Sequence, residues 1–187
     1  MARSGAVMDN MCLPMHYVCT HEQARELIRA RERFWVSNCG CREGRGRCAR
    51  SRMDLCLIFT ESDPGSGTGK HEANAAEVEA ILAEARDQHL VARPYRDEAR
   101  ATTDGICFCC DDCCGYFADP TEVCDRGVLV EMTDLEACDQ CGACVTVCYF
   151  GARFLSDGRL QVLRDNCYGC GLCAAVCPPA CIQMVVR

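Results

Sequence analysis

Residues 138–148 read CDQCGACVTVC, and residues 167–177 read CYGCGLCAAVC. Each is a C-x2-C-x2-C-x3-C run: Cys138, Cys141, Cys144 and Cys148 in the first, Cys167, Cys170, Cys173 and Cys177 in the second. Every cysteine is displaced by the same 29 residues, and Gly142 with Gly171 and Val147 with Val176 extend the repeat. Three thiolates this close together can wrap three corners of a four-iron cube, and the fourth corner is then filled from far along the chain. Zinc is the competing metal, but it favours separated cysteine pairs over three close thiolates and a fourth.

The two runs resemble the ligand runs of two-cluster bacterial ferredoxins, in which the fourth cysteine of each run ligates the other cluster. The resemblance implies one [4Fe–4S] cluster on Cys138, Cys141, Cys144 and Cys177, and a second on Cys167, Cys170, Cys173 and Cys148. Neither half closes its cube alone, which explains why the run is doubled. The second run is followed by the usual proline, Pro178, but the first is followed by Tyr149. That departure alters the turn after Cys148 and removes no ligand.

A chain of 187 residues has room for one large or two small domains. Its 21 cysteines are an odd number at metal-ligand spacings, which argues against a disulfide framework. Free thiolates in such number belong to a reducing compartment. Residues 1–18 lack the apolar stretch of an export signal. No apolar run approaches the roughly eighteen residues that span a bilayer. These features predict a soluble cytoplasmic protein of an anaerobe or a low-oxygen setting. A net charge of −7 argues against general affinity for nucleic acid.

Residues 1–19 are expected to form an N-terminal arm, with several methionines that leave the true start open. Residues 20–125 are expected to form a cysteine-rich domain, and residues 126–187 a ferredoxin module. The fold class is α+β: a small α/β N-terminal domain followed by a two-cluster ferredoxin-like module. Thr20 and Gln23 form a capping box for a helix expected to reach about Phe34. Leu55–Phe59 reads as a short buried strand, Asp63–Gly69 as a flexible surface loop, and Glu72–Gln88 as a second helix. His89–Arg93 is a candidate strand, and Arg96–Gly105 reads as loop. Leu129–Met132, Leu160–Leu163 and Ile182–Val186 are the expected strands of the module.

Thirteen cysteines lie outside the two runs, and nine of them fall into two groups. Cys39, Cys41, Cys48 and Cys56 sit on an arginine-rich loop. Cys107, Cys109, Cys110, Cys113 and Cys114 form C-x-C-C-x2-C-C. Adjacent cysteines cannot both ligate one tetrahedral ion without strain, but each can serve a different metal. From about Tyr17 onward the chain resembles a family of iron–sulfur proteins widespread in anaerobes. The residues that carry the likeness are Cys39-Gly40-Cys41-Arg42, Cys48, Cys56-Leu57, His89-Leu90-Val91 and Ile106-Cys107-Phe108-Cys109-Cys110. The resemblance implies an additional iron–sulfur centre on a subset of those nine cysteines. Asp112 stands where family members often carry a third thiolate. Four cysteines between Cys39 and Cys56 are also enough for a structural zinc site, the alternative N-terminal metal. Cys12, Cys19, Cys124 and Cys181 are single cysteines whose default role is packing, with Cys181 placed to shield a cluster.

Arg42, Arg45, Arg47, Arg50 and Arg52 surround Cys48 and read as charge compensation for a thiolate centre. Gly65-Ser66-Gly67-Thr68-Gly69-Lys70 lies where a phosphate loop would, but Pro64 and His71 occupy two positions that such a loop requires for glycine and for Ser or Thr. His16, His21, His71 and His89 are too scattered to make a site. No acid–base set or nucleophile constellation can be assembled. The expected function is single-electron transfer, as a multi-cluster carrier or as the electron-transfer subunit of a redox complex with a protein partner. The alternative is a redox enzyme whose catalytic iron–sulfur centre lies in the N-terminal domain and is fed by the module.

Aromatic residues make up only 6% of the chain, so cross-linking by metal must supply stability that large side chains do not. Chelation of the iron is therefore expected to unfold the C-terminal third first. Hydrogen exchange before and after chelation checks this, with loss of protection confined to residues beyond about 126 as the expected outcome.

Overall fold

The computed structural model describes residues 13–118 and 122–187. The chain forms β1 (His16–Tyr17), α1 (His21–Arg29), β2 (Phe34–Ser37), α2 (Gly40–Arg45), β3 (Cys56–Ile58), β4 (His71–Ala73), α3 (Ala75–Asp87), β5 (Val91–Arg96), β6 (Thr103–Cys109), α4 (Gly115–Ala118) and β7 (Cys124–Asp125). Then follow β8 (Leu129–Thr133), α5 (Ala143–Thr146), β9 (Arg153–Ser156), β10 (Arg159–Val162), α6 (Leu172–Ala175) and β11 (Ile182–Val186). The architecture is α+β: a seven-stranded N-terminal sheet and a C-terminal region of two two-stranded sheets and two short helices, the layout expected of a ferredoxin-like module.

The sheet order is β4-β2-β3-β6-β5-β1-β7, antiparallel except where β1 meets β7. Alternation along each strand separates two faces. Val36, Leu57, Phe59, Ala92, Ile106 and Phe108 point to one face, where α1 contributes Ala24 and Ile28, and α3 contributes Val78, Ile81, Leu82 and Ala85. The opposite face carries Trp35, Cys56, Ile58, Tyr95 and Cys107. The pleat therefore places apolar packing on one side of the sheet and much of the sulfur chemistry on the other.

Local chemistry explains the helix boundaries. The Thr20–Gln23 capping box forms as expected, but α1 stops at Arg29 rather than near Phe34. Phe34, Trp35 and Val36 are aromatic and β-branched residues that suit a pleated surface, and they find partners on both sides in β3 and β4. The second helix starts late for the same reason. His71–Ala73 pairs with β2, and the Asn74 side chain then accepts from the Glu77 N–H to start α3.

Three further expectations are corrected. From His16 the presumed arm belongs to the sheet, with Val18 and Cys19 buried, while residues 1–12, including Cys12, lie outside the described residues. Thr103–Gly105, read as loop, is the start of β6. The glycine-rich segment docks on α2: Glu43 accepts from the Thr68 N–H at 2.8 Å and from Asn38 Nδ2 at 2.6 Å.

In the C-terminal region β8 pairs with β11, and β10 pairs with β9, a strand the sequence did not signal. The internal repeat reappears in the backbone. Gly142 and Gly171 precede α5 and α6 with φ of 76° and 77°, a left-handed conformation that glycine adopts without a Cβ penalty. A second core joins this region to the sheet: Val18, Val91 and Cys124 pack with Val147 and Leu172. An aromatic seam lies beside it, with Phe150 stacked on Tyr168 at 4.4 Å and Tyr116 and Phe117 against them.

Leu57 is fully buried at the centre of the sheet. Leu57→Ala is expected to cost about 2–5 kcal/mol, through lost burial and the cavity left behind. Urea unfolding of the metal-loaded protein measures it.

Candidate metal centres

The eight cysteines of the double run line two cavities. The wall of the first includes Cys138, Cys141, Cys144 and Cys177. The wall of the second includes Cys148, Cys167, Cys170 and Cys173. Each cavity thus takes three cysteines from one run and one from the other. Cys181 also lines the first, with its sulfur 3.4 Å from that of Cys177. No three of these eight sulfurs gather within 4.8 Å of one another. Sulfurs held apart around an enclosed space suit a bulky cube, whose irons each take one thiolate, so the residues present fit a [4Fe–4S] group.

The nine N-terminal cysteines divide. Cys48, Cys110 and Cys113 bring their sulfurs within 4.8 Å of one another, with Cys48–Cys110 at 3.6 Å and Cys110–Cys113 at 3.5 Å. Cys39, Cys41, Cys114 and Cys109 form a chain of neighbouring thiols on the other side of the block. Cys56 and Cys107 face each other across β3 and β6. The Cys56 thiol is pushed down to about 6, first by the hydrogen bond from Cys107. In the chain of four, Cys41 is lowered by hydrogen bonds from the Cys114 and Cys39 thiols, and Cys109 by Cys114 and then by Arg93. The same contacts, with burial, push the partner thiols Cys39, Cys107 and Cys114 up.

Two buried arginines face these groups. Arg42 is 0% exposed and donates to the carbonyls of Arg52 and Phe108, each at 3.0 Å. Burial works against its charge, and the neighbouring sulfurs of Cys39, Cys48 and Cys113 offset that penalty. Arg93 is 2% exposed; its Nη1 donates to Cys114 Sγ at 3.0 Å and to Cys109 Sγ at 3.7 Å. Its Nη2 donates to Glu122 at 2.7 Å, and Tyr116 packs under the guanidinium at 4.5 Å. Sequence reasoning found Arg42 and missed Arg93, because an arginine in a short strand gives no sign of pointing inward.

Other candidates resolve differently. Asp112 does not join the thiol group; its carboxylate accepts from the Ala49 N–H at 2.9 Å and lies 3.8 Å from Arg45. Arg50 pairs with Asp111 and Arg52 with Asp54, so these loop arginines answer carboxylates rather than sulfur. Cys19 and Cys124 are buried in the two cores. Trp35 is buried, with Arg33 over its ring at 4.8 Å. His16 lies 4.0 Å from Cys107 Sγ, and burial holds its imidazole down to about 4, in the neutral form.

A third buried arginine lines the second cavity and reaches a cysteine of the first. Arg153 Nη1 donates to Cys144 Sγ at 3.4 Å, and Nη2 pairs with the buried carboxylate of Glu131, which Arg164 meets at 3.0 Å. Arg153→Met leaves Glu131 with the outward Arg164 as its remaining cation and the Thr133 hydroxyl as a donor, and is expected to cost about 3–5 kcal/mol, while Arg153→Met with Glu131→Leu recovers most of that loss. Denaturant unfolding of both variants is the check.

Residues 137–181 match the 4Fe-4S dicluster domain family. The chain is 41% identical over 58 residues to an archaeal-type glutamate synthase [NADPH] of Thermotoga maritima, a match covering 30% of this chain and 11% of that one. It is 33% identical over 60 residues to the electron transport protein HydN of Escherichia coli, covering 31% of this chain and 34% of that one. The matched segment thus spans about a tenth to a third of the length of these relatives. No helix among the described residues is long and apolar enough to cross a membrane.

Proposed function

We propose that this protein is a multi-cluster iron–sulfur electron carrier, or the electron-transfer subunit of a larger redox complex. The observation that carries the reading is the pair of cavities, each walled by three cysteines of one run and the last cysteine of the other. Cys138, Cys141, Cys144 and Cys177 would hold one [4Fe–4S] cluster, and Cys167, Cys170, Cys173 and Cys148 the second. When bound, each cluster supplies a one-electron couple. The chain's own residues hold it, keep water from it and set its potential. Arg153 donates to Cys144 Sγ and thereby favours the more negative, reduced state.

A third iron–sulfur centre is assigned to Cys39, Cys41, Cys109 and Cys114. Arg93 donates to two of these sulfurs, and its buried charge is matched there by thiolate and by Glu122. Tyr116 links the surroundings of the two regions, packing on Arg93 at one side and on Phe150 and Tyr168 at the other. A redox protein partner supplies or accepts the electrons, in keeping with the electron-transport name of one relative.

Iron analysis and electron paramagnetic resonance on the anaerobically purified full chain test this. About twelve irons are expected, four for each of three centres. Cys141→Ser, Cys170→Ser and Cys41→Ser should each disturb one centre and spare the resonance of the other two. Unchanged iron and spectra in Cys141→Ser and Cys170→Ser would sink the reading.

A further inference from the structure

We infer that Cys48, Cys110 and Cys113 form a separate centre for a single divalent ion of zinc's class, distinct from any iron–sulfur site in the chain. The inference rests on the proposed function only in leaving the other four-thiol group to iron and sulfide.

Spacing is the first argument. A tetrahedral ion with metal–sulfur bonds of about 2.3 Å holds its sulfurs about 3.8 Å apart. The observed separations of 3.6 and 3.5 Å lie close to that edge. The eight cysteines of the double run do not gather in this way, nor do Cys39, Cys41, Cys109 and Cys114. Three thiols are drawn in around one point, whereas the eight of the double run line two cavities.

The second argument is the local sequence. Cys110-Asp111-Asp112-Cys113 has the C-x2-C spacing of zinc sites, and Cys48 joins it from the arginine loop. Each adjacent pair in the block is divided between the two groups. Cys109 and Cys114 lie with Cys41, whereas Cys110 and Cys113 lie with Cys48. Strand alternation at the end of β6 sends Cys109 and Cys110 to opposite faces, so they serve different centres. Cys110 and Cys113 are accordingly buried within the helix-covered core, with Cys48 packed against it.

Charge is the third. Arg45 and Arg50 are answered by Asp112 and Asp111, whereas buried Arg42 has no carboxylate partner among the described residues, and its Nε has no hydrogen-bond partner there. A divalent ion on three thiolates carries one net negative charge, the complement of a single guanidinium. Three protonated thiols would leave Arg42 with only the Cys39 sulfur to offset its buried charge, which is costly. Among the described residues no fourth side chain joins the group. Cys48 is only half-buried, so the fourth position is reached from its side by water or a small donor. Three protein ligands and one exchangeable position distinguish open zinc sites from closed structural ones.

The test is metal analysis and zinc-edge X-ray absorption on the full chain, purified without oxygen after growth with both metals supplied. About one zinc per chain is expected, with three sulfur neighbours at about 2.3 Å and one lighter neighbour. Cys48→Ser should remove the zinc and leave iron content and cluster resonance unchanged, and Cys41→Ser should do the reverse. A wild type without zinc, a shell of four sulfurs, or loss of iron in Cys48→Ser would overturn the inference. The absorption measurement needs no variant, so misfolding cannot mask the answer. Unchanged iron in Cys141→Ser and Cys170→Ser would sink the electron-carrier reading while leaving the zinc result standing.

Discussion

Buried guanidinium charge facing sulfur is the constraint on which this structure depends. Arg42, Arg93 and Arg153 are 0%, 2% and 3% exposed, and each lies against cysteine sulfur. A buried cation costs several kcal/mol unless an anion meets it. Glu122 and Glu131 supply part of that anion for Arg93 and Arg153. Arg42 has only carbonyl oxygens and thiols. On the proposed function, metal binding would deprotonate the thiols and so complete the charge balance at these positions.

Topology supplies the second constraint. The closely spaced runs cannot surround a cube alone, so the chain folds each run's last cysteine into the other's cavity. In the N-terminal half the pleat of β6 does comparable work, separating Cys107 and Cys109 from Ile106, Phe108 and Cys110. The two halves meet at an aromatic seam. Tyr149, which replaces the usual proline, packs against Phe117 at 5.9 Å and lies under Arg50 at 5.0 Å. A proline there would offer neither contact. The departure from the ferredoxin pattern thus serves contact with the N-terminal domain.

Some elements were legible because their causes are local. The Thr20–Gln23 box, the Leu55–Phe59 strand, and the strands opening and closing the C-terminal region were readable from capping chemistry and short apolar runs. The reach of α1 was misread because Phe34 continues a helical stripe while its aromatic and β-branched neighbours favour a sheet, and two flanking strands decide the matter. The glycine-rich segment was read as free because its docking depends on Glu43, a surface residue in a helix of six residues that nothing in the sequence announced.

The sequence by itself determined the double cysteine run, its constant offset and the presence of nine further cysteines in two groups, because ligand spacing is a property of the chain. Only the tertiary structure decided how those nine are divided. Cys109 and Cys110 are neighbours in sequence yet belong to different groups, and Cys48 joins Cys110 across 62 residues. That division depends on which face of a strand a residue takes and which loop is folded against it. It also depends on Arg93 and Arg153 turning inward, an orientation set by the partners that burial provides.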